Sequence, residues 1–196
     1  MHVAPPAPRV PRRGNAFSRW LGRTMMTLTG WHIEGVLPNE PKFVMIVAPH
    51  TSNWDFPVGL WVLFALGFKG NFLAKHSIFR WPIGGFLQWL GGIPVERSRH
   101  SMRVRGTIDT FIKQEKMILI ITPEGTRKYV PEWKSGFYHI AEGAKVPIVP
   151  VVFDYGARAV KLLPAFQPTG NREADIEELK NLYRGVKAKI PANFAL

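Results

Sequence analysis

Apolar residues in this chain form short continuous runs. Between these runs lie segments in which apolar residues recur every three or four positions, the spacing of one helix face. The runs at 42–47, 116–122 and 146–153 are short and rich in Val, Ile and Met, which is typical of strands buried on both faces of a sheet. Residues 101–113 and 171–190 carry apolar residues that would share one face of a helix. Strands that alternate with helices predict an α/β fold: a single domain on a mixed, mostly parallel sheet that helices cover on both faces.

The N-terminal part divides into an arm and a helix. Residues 1–13 are rich in proline and arginine and have no periodicity, so we predict a disordered basic arm. Residues 14–31 have the pattern of an amphipathic helix that precedes the main domain, residues 32–196. Its apolar face would carry Phe17, Trp20, Leu21, Met25 and Leu28, with Arg19 and Arg23 on the other side. Such a helix could lie in a membrane interface or pack on the domain, and the pattern leaves both open.

A second segment, residues 56–68, is apolar on all sides. It is too short to span a bilayer, so a helix here would be buried or would touch lipid. No stretch reaches the roughly 18–20 uninterrupted apolar residues of a spanning helix. The basic N-terminus has no apolar core before a cleavage site, so we expect no signal peptide.

Charge and composition limit the classes of function that suit this chain. The chain has 26 Lys and Arg against 14 Asp and Glu, a net charge of +12, with 13 Phe and 7 Trp. A basic, aromatic-rich chain suits two polyanions, nucleic acid and the surface of an acidic membrane. No zinc-finger spacing, helix-turn-helix signature or aromatic RNA-binding signature supports the first. The absence of cysteine excludes disulfides, thiolate metal ligands and a cysteine nucleophile.

The candidate chemistry begins where the run at 42–47 ends. His50 follows in a predicted strand-to-helix loop, Ser52 and Asn53 are good helix caps, and Asp55 would open the helix. A tight loop can bring the Asp55 carboxylate onto one imidazole nitrogen and leave the other facing outward as an oriented base. No nucleophilic residue is evident beside it, so this pair would deprotonate a hydroxyl that arrives with a substrate. A helix-opening aspartate without any catalytic role is the alternative.

Four sequence motifs point to one family. They are His50-x4-Asp55 with Ser52, Gly92-Ile93-Pro94-Val95-Glu96-Arg97, Pro123-Glu124-Gly125-Thr126-Arg127 and Val146-Pro147-Ile148-Val149-Pro150. In order and spacing they resemble the glycerolipid acyltransferases of the 1-acylglycerol-3-phosphate (lysophosphatidate) acyltransferase type, over about residues 40–155. The second motif departs from the family pattern, because Glu96 stands where the family usually has Asp and Pro94 precedes it.

The resemblance implies roles for particular residues. His50 and Asp55 would be the general base and the group that orients it. The substrate-binding residues would be Lys75, Arg97, Glu124, Gly125, Thr126 and Arg127. Among these the three cations are candidate phosphate ligands, and a solvated basic face is the alternative. Glu124 would orient Arg127 or a neighbouring loop rather than act as a base. Backbone amides near the motif loops would stabilise the oxyanion.

The same resemblance implies an enzyme. A fatty acyl group would pass from acyl-CoA or acyl-carrier-protein, as donor substrate, to the hydroxyl of lysophosphatidate or a related lyso-lipid in phospholipid biosynthesis. We expect no cofactor, no metal and no nucleic-acid partner. Membrane lipids would be partners, and the protein would be a peripheral or monotopic one, at the cytoplasmic face of the inner membrane. A non-catalytic membrane- or lipid-binding module on the same fold is the alternative.

Overall fold

A seven-stranded sheet forms the centre of the protein in its computed structural model, which describes residues 6–95 and 100–196. The strands are β1 (His32–Glu34), β2 (Lys42–Ala48), β3 (Asn71–Lys75), β4 (Gly92–Val95), β5 (Met117–Ile121), β6 (Ile148–Asp154) and β7 (Ala159–Leu162). The helices are α1 (Ala16–Leu28), α2 (Asp55–Leu66), α3 (Ile83–Trp89), α4 (His100–Lys113), α5 (Gly136–Ala144) and α6 (Arg172–Asn181).

The order of the strands brings the motif loops to one edge. The sheet runs β1-β7-β6-β2-β5-β3-β4. All neighbouring strands are parallel except β6 and β7, which are antiparallel. The parallel strands β2, β3, β5 and β6 therefore end at the same edge, and the segments that follow them meet there. The predicted mixed, mostly parallel α/β sheet is confirmed.

Two cores lie on the two faces of the sheet. Alternate residues of β2 point to opposite sides, as the period of a strand requires. Phe43, Met45 and Val47 join one core with residues of α1 and α2. Val44 and Ile46 join the other with residues of α4, α5 and α6. Helices therefore cover both faces, which explains why β2 reads as a continuous apolar run.

Helix α1 packs closely on α2 at a glycine. Asn15 caps α1, because its side chain accepts a hydrogen bond from the Ser18 amide at 3.0 Å. One face of α1 buries Gly22 and Met26. A Cβ added at Gly22 would lie 2.5 Å from the nitrogen of Ala65 in α2, so only glycine allows this approach. The apolar helix α2 is thus held between α1 and the sheet.

Some predicted segments differ in the structure. Residues 6–13, expected to be disordered, contact the domain: Val10 is fully buried, and the Arg13 amide donates to the Gly67 carbonyl at 3.0 Å. The prediction of a disordered arm is therefore wrong for these residues, because their backbone pairs with the segment after α2. The last helix ends at Asn181 rather than near residue 190. Across the described residues, no helix has both the length and the apolar character needed to cross a bilayer.

Candidate active site

His50 lies in the loop between β2 and α2, at the carboxyl edge of the sheet. Asp55 is the first residue of α2, as the sequence predicts. The predicted side-chain cap is absent, since Trp54 occupies the cap position and makes no side-chain hydrogen bond to the helix. Ser52 instead accepts a hydrogen bond from the Trp54 amide at 3.2 Å, which tightens the loop itself.

The loop folds back so that Asp55 holds the imidazole ring. His50 Nδ1 lies 3.0 Å from Asp55 Oδ2. The same oxygen accepts hydrogen bonds from the amides of Thr51 and Ser52, each at 2.9 Å. The Asp55 side chain is 3% exposed and that of His50 is 22% exposed, so the carboxylate is enclosed and the ring stays accessible. Because Nδ1 faces the carboxylate, Nε2 is the nitrogen that faces away from it.

Tyr155 completes the environment of Asp55. Its hydroxyl donates to Asp55 Oδ1 at 2.6 Å, although 100 residues separate the two in sequence. Burial, and then the hydrogen bond to Asp55, raise the pKa of the Tyr155 phenol, so the hydroxyl keeps its proton. None of the sequence motifs includes Tyr155. The available signal was its position directly after β6, at the edge where His50 lies.

Glu124 joins the third motif to the first. Its Oε1 accepts a hydrogen bond from the His50 amide at 2.8 Å. Its Oε2 is buried, with no hydrogen-bond partner among the described residues. Burial, the largest cause, raises the pKa of this carboxyl. The sequence predicted that Glu124 orients either Arg127 or a neighbouring loop. In the structure it contacts the neighbouring loop, at His50.

The rest of the third motif forms a turn after β5. The Gly125 amide donates to the Thr122 carbonyl at 3.0 Å, and Gly125 has a φ of +63°, a conformation that favours glycine. The Thr126 hydroxyl accepts from the Lys128 amide at 3.3 Å. Arg127 is exposed in the same turn. The turn thus presents one guanidinium at the edge where His50 lies.

Lys75 and Arg97 are the remaining predicted phosphate ligands. Lys75 is the last residue of β3, so its backbone lies at the carboxyl edge of the sheet. Arg97 lies outside the described residues, as does Glu96. The structure therefore brings together His50, Asp55 and Glu124, and sets Arg127 and the Lys75 backbone at the same edge.

Several backbone amides considered as oxyanion donors are already engaged. The His50 amide bonds to Glu124, and those of Thr51 and Ser52 bond to Asp55. The Gly125 amide bonds to a carbonyl of its own turn. These four amides stabilise the loops, so they could serve an oxyanion only by leaving their present acceptors.

The C-terminal segment, residues 187–190, packs against the carboxyl edge of the sheet. The Thr51 hydroxyl accepts a hydrogen bond from the Ile190 amide at 3.2 Å. The Tyr155 amide donates to the Lys187 carbonyl at 2.9 Å. The ammonium of Lys189 lies 5.7 Å from the centre of the Tyr155 ring. Residues far from the motifs in sequence therefore support both the loop of His50 and Tyr155, whose hydroxyl bonds to Asp55.

Comparisons with known proteins agree on one family. The family model described as Acyltransferase matches residues 31–154. The chain is similar to the 1-acyl-sn-glycerol-3-phosphate acyltransferase of Haemophilus influenzae, at 26% identity over 152 residues, 72% of this chain and 61% of that protein. It is 31% identical over 141 residues to the protein of the same name from Streptococcus pneumoniae, covering 67% of this chain and 52% of that one. The chain thus spans between about half and three fifths of the length of these relatives.

One solved structure has the same fold. It is the crystal structure of the 1-acyl-sn-glycerophosphate (LPA) acyltransferase from Thermotoga maritima. The TM-score is 0.60 at 20% sequence identity, and the match covers 88% of this chain and 80% of that one. This likeness supports the arrangement of the sheet and its helices.

Proposed function

The chain belongs to the acyltransferase family, since the family model matches residues 31–154, and from this premise we propose that it transfers a fatty acyl group to the hydroxyl of a lysophospholipid. Relatives named 1-acyl-sn-glycerol-3-phosphate acyltransferases support lysophosphatidate, or a related lyso-lipid, as acceptor. The donor would be acyl-CoA or acyl-carrier-protein. The observation that carries the proposal is the contact of 3.0 Å between His50 Nδ1 and Asp55 Oδ2, in a site that encloses the carboxylate and leaves the ring accessible.

The proposed chemistry uses the nitrogen of His50 that faces away from Asp55. The acceptor hydroxyl gives its proton to Nε2, and its oxygen attacks the carbonyl carbon of the thioester. The tetrahedral intermediate then expels the thiolate, which takes the proton from the imidazolium, so the products are an ester and a free thiol. Asp55 holds the ring and stabilises its positive charge while the proton is on it.

Basic residues at the carboxyl edge would bind the phosphate of the acceptor. Arg127 is exposed in the turn after β5, and Lys75 ends β3 beside it in the sheet. A guanidinium can present two parallel N–H groups to phosphate oxygens, and an ammonium acts as a point charge. Arg97 would add a third cation by its place in the second motif. These residues would set the head group so that the free hydroxyl reaches His50.

The proposal includes peripheral attachment to a membrane leaflet. Helix α1 packs on α2 through Gly22 and Met26, yet leaves Phe17 65% and Trp20 60% exposed. Exposed apolar residues of and around α3 are Ile78, Trp81, Ile83, Phe86 and Trp89, of which Trp81 is 94% exposed. The Arg13 guanidinium lies 4.5 Å from the centre of the Trp89 ring and so connects the segment before α1 with α3. In the apolar segment 56–68, expected to be buried or to touch lipid, Trp61 is partly buried and packs against the core.

The activity is tested by thiol release from a long-chain acyl-CoA, with lysophosphatidate and a panel of other lyso-lipids as acceptors. Acyl-carrier-protein replaces the donor in a parallel series. His50→Ala is expected to lower kcat by roughly 10² to 10⁴, the contribution of a general base. His32→Ala is the matched control, because His32 is exposed and also pairs with a carboxylate, Glu34, at 2.9 Å. It should keep the wild-type rate.

Three outcomes would contradict the proposal. An unchanged turnover number in folded His50→Ala would exclude the base. An equal loss in His32→Ala would show that the effect is not specific to the site. No thiol release with any pair of donor and acceptor, while lyso-lipid binding persists, would support the non-catalytic lipid-binding alternative. Circular dichroism and urea unfolding of each variant show whether the fold is retained.

Membrane attachment is tested by sedimentation with anionic vesicles at low and high salt. Phe17→Glu combined with Trp20→Glu should release the protein in both conditions, because the apolar contact is lost. Wild-type binding should weaken at high salt but persist, since salt screens only the attraction of the basic side chains, about 1 kcal/mol each near the surface. Ile112→Glu is the control: this exposed residue belongs to α4, on the other face of the sheet. Full sedimentation of the double variant would contradict the proposal.

A further inference from the structure

We infer that Tyr155 is a positioning residue of the His50–Asp55 pair, so that the proton-accepting group is a chain of three side chains rather than two. This inference rests on the proposed function. Tyr155 acts through Asp55, since its hydroxyl donates to Oδ1 at 2.6 Å while Oδ2 holds the imidazole. The two carboxylate oxygens are thus assigned to different partners, and the plane of the carboxylate is fixed from both sides.

The carboxylate needs this second donor because it is enclosed. Oδ2 already has three partners, the imidazole and the amides of Thr51 and Ser52. Without the tyrosine, Oδ1 of a side chain that is only 3% exposed would lose its hydrogen bond. A buried carboxylate oxygen with no donor is costly, so Asp55 would turn and draw Oδ2 away from the ring. The hydroxyl therefore keeps the ring oriented as well as satisfying the oxygen.

The tyrosine is itself held in place from three directions. Its ring meets the Trp31 ring edge to face, with 4.9 Å between centroids. Its amide donates to the Lys187 carbonyl at 2.9 Å. The Lys189 ammonium lies 5.7 Å from the ring centre. Such contacts leave the hydroxyl little freedom to move away from Asp55, which is what a positioning residue requires.

The hydrogen bond between His50 Nδ1 and Asp55 gives a direct readout of this positioning. Nδ1 lies 3.0 Å from Oδ2, the oxygen that the amides of Thr51 and Ser52 also hold. When the Tyr155 hydroxyl is removed, Oδ2 moves away from the ring, so this hydrogen bond should lengthen and weaken. The NMR signal of the Nδ1 proton, which lies further downfield the shorter the bond is, should then move upfield.

The test compares Tyr155→Phe with Tyr183→Phe. The control removes a buried hydroxyl that donates to the Ile46 carbonyl at 3.2 Å, a contact without a carboxylate. In Tyr155→Phe we expect kcat to fall about tenfold, the effect of losing one hydrogen bond to a charged group, with KM unchanged. The NMR signal of the His50 Nδ1 proton should move upfield, because its hydrogen bond to Asp55 lengthens. Tyr183→Phe should lose stability but keep the wild-type Nδ1 signal.

Each result decides the inference. A Tyr155→Phe variant with the wild-type Nδ1 signal overturns it, whether or not kcat falls, because a lower rate alone fits a merely structural role. An equal shift in both variants also overturns it. If the wild type shows no transfer with any donor and acceptor, the proposed function fails. The NMR signal of the Nδ1 proton, which needs no substrate, still decides the role of Tyr155. The His50 resonance is assigned from its loss in His50→Gln.

Discussion

Two substitutions of Glu124 distinguish the effect of its hydrogen bond from the effect of its charge. Glu124→Gln keeps an oxygen that accepts from the His50 amide, which Glu124 now does at 2.8 Å, and it removes the ionisable group. Glu124→Ala removes the acceptor as well. The His50 amide would then be left without its present partner, at a cost of about 1–3 kcal/mol in the free energy of unfolding. The alanine variant should therefore be the least stable of the three proteins at every pH.

The pH dependence has a defined sign. Burial raises the pKa of Glu124 in the folded protein above its usual value of 4.5, so the folded state holds this proton more tightly than the unfolded state. The resulting stability is fully present below the usual value and is lost as the pH rises through the raised one. Glu124→Gln has no such proton. Between the two values its stability should therefore gain on that of the wild type by about 1.4 kcal/mol per pH unit.

Urea unfolding followed by tryptophan fluorescence between pH 4 and pH 8 measures both effects. Glu142→Gln is the matched control, since Glu142 is an exposed carboxylate of α5. Its curve of unfolding free energy against pH should run parallel to that of the wild type. If the Glu124→Gln curve is parallel as well, the buried carboxyl titrates as in the unfolded chain and the predicted pH dependence is wrong. If Glu124→Ala is as stable as Glu124→Gln, the bond to the His50 amide contributes nothing.

Three further predictions concern the helix contact, the phosphate and the orienting carboxylate. Gly22→Ala should lower the free energy of unfolding by about 1–3 kcal/mol, because its Cβ would lie 2.5 Å from the Ala65 nitrogen. Gly106→Ala in α4, with nothing within 4 Å, should raise it by about 1 kcal/mol, and equal effects in urea unfolding would contradict this. In steady-state kinetics, Arg127→Ala should raise KM for a phosphate-bearing acceptor more than for the acyl donor. A change only for the donor would assign Arg127 to the donor side. Asp55→Asn should lower kcat by roughly 10² to 10⁴ without loss of the fold, and an unchanged kcat would exclude the orienting role.

Much of the architecture was predictable from local pattern. The apolar runs of β2, β5 and β6 predict buried strands because a strand covered on both faces has no polar positions. The helix that opens at Asp55 was predictable as well, since a strand, a short polar loop and an apolar segment follow one another. The spacing of His50 and Asp55 allowed the contact that the structure contains. These features depend on neighbours within a few residues, so the sequence alone carries them.

Contacts between distant segments depend on how the whole chain folds. The face of α1 that meets the domain is set by Gly22 and Met26, not by the aromatic residues, because close approach of two helix backbones requires a residue without a Cβ. Tyr155 reaches Asp55 from 100 residues away, and Glu124 reaches the His50 amide from 74 residues away. Both contacts exist because parallel strands end at one edge of the sheet. No local pattern in the sequence predicts the order of the strands. Local sequence pattern was enough to predict most of the elements and the pairing of His50 with Asp55, whereas the order of the strands fixes which side chains hold that pair in place.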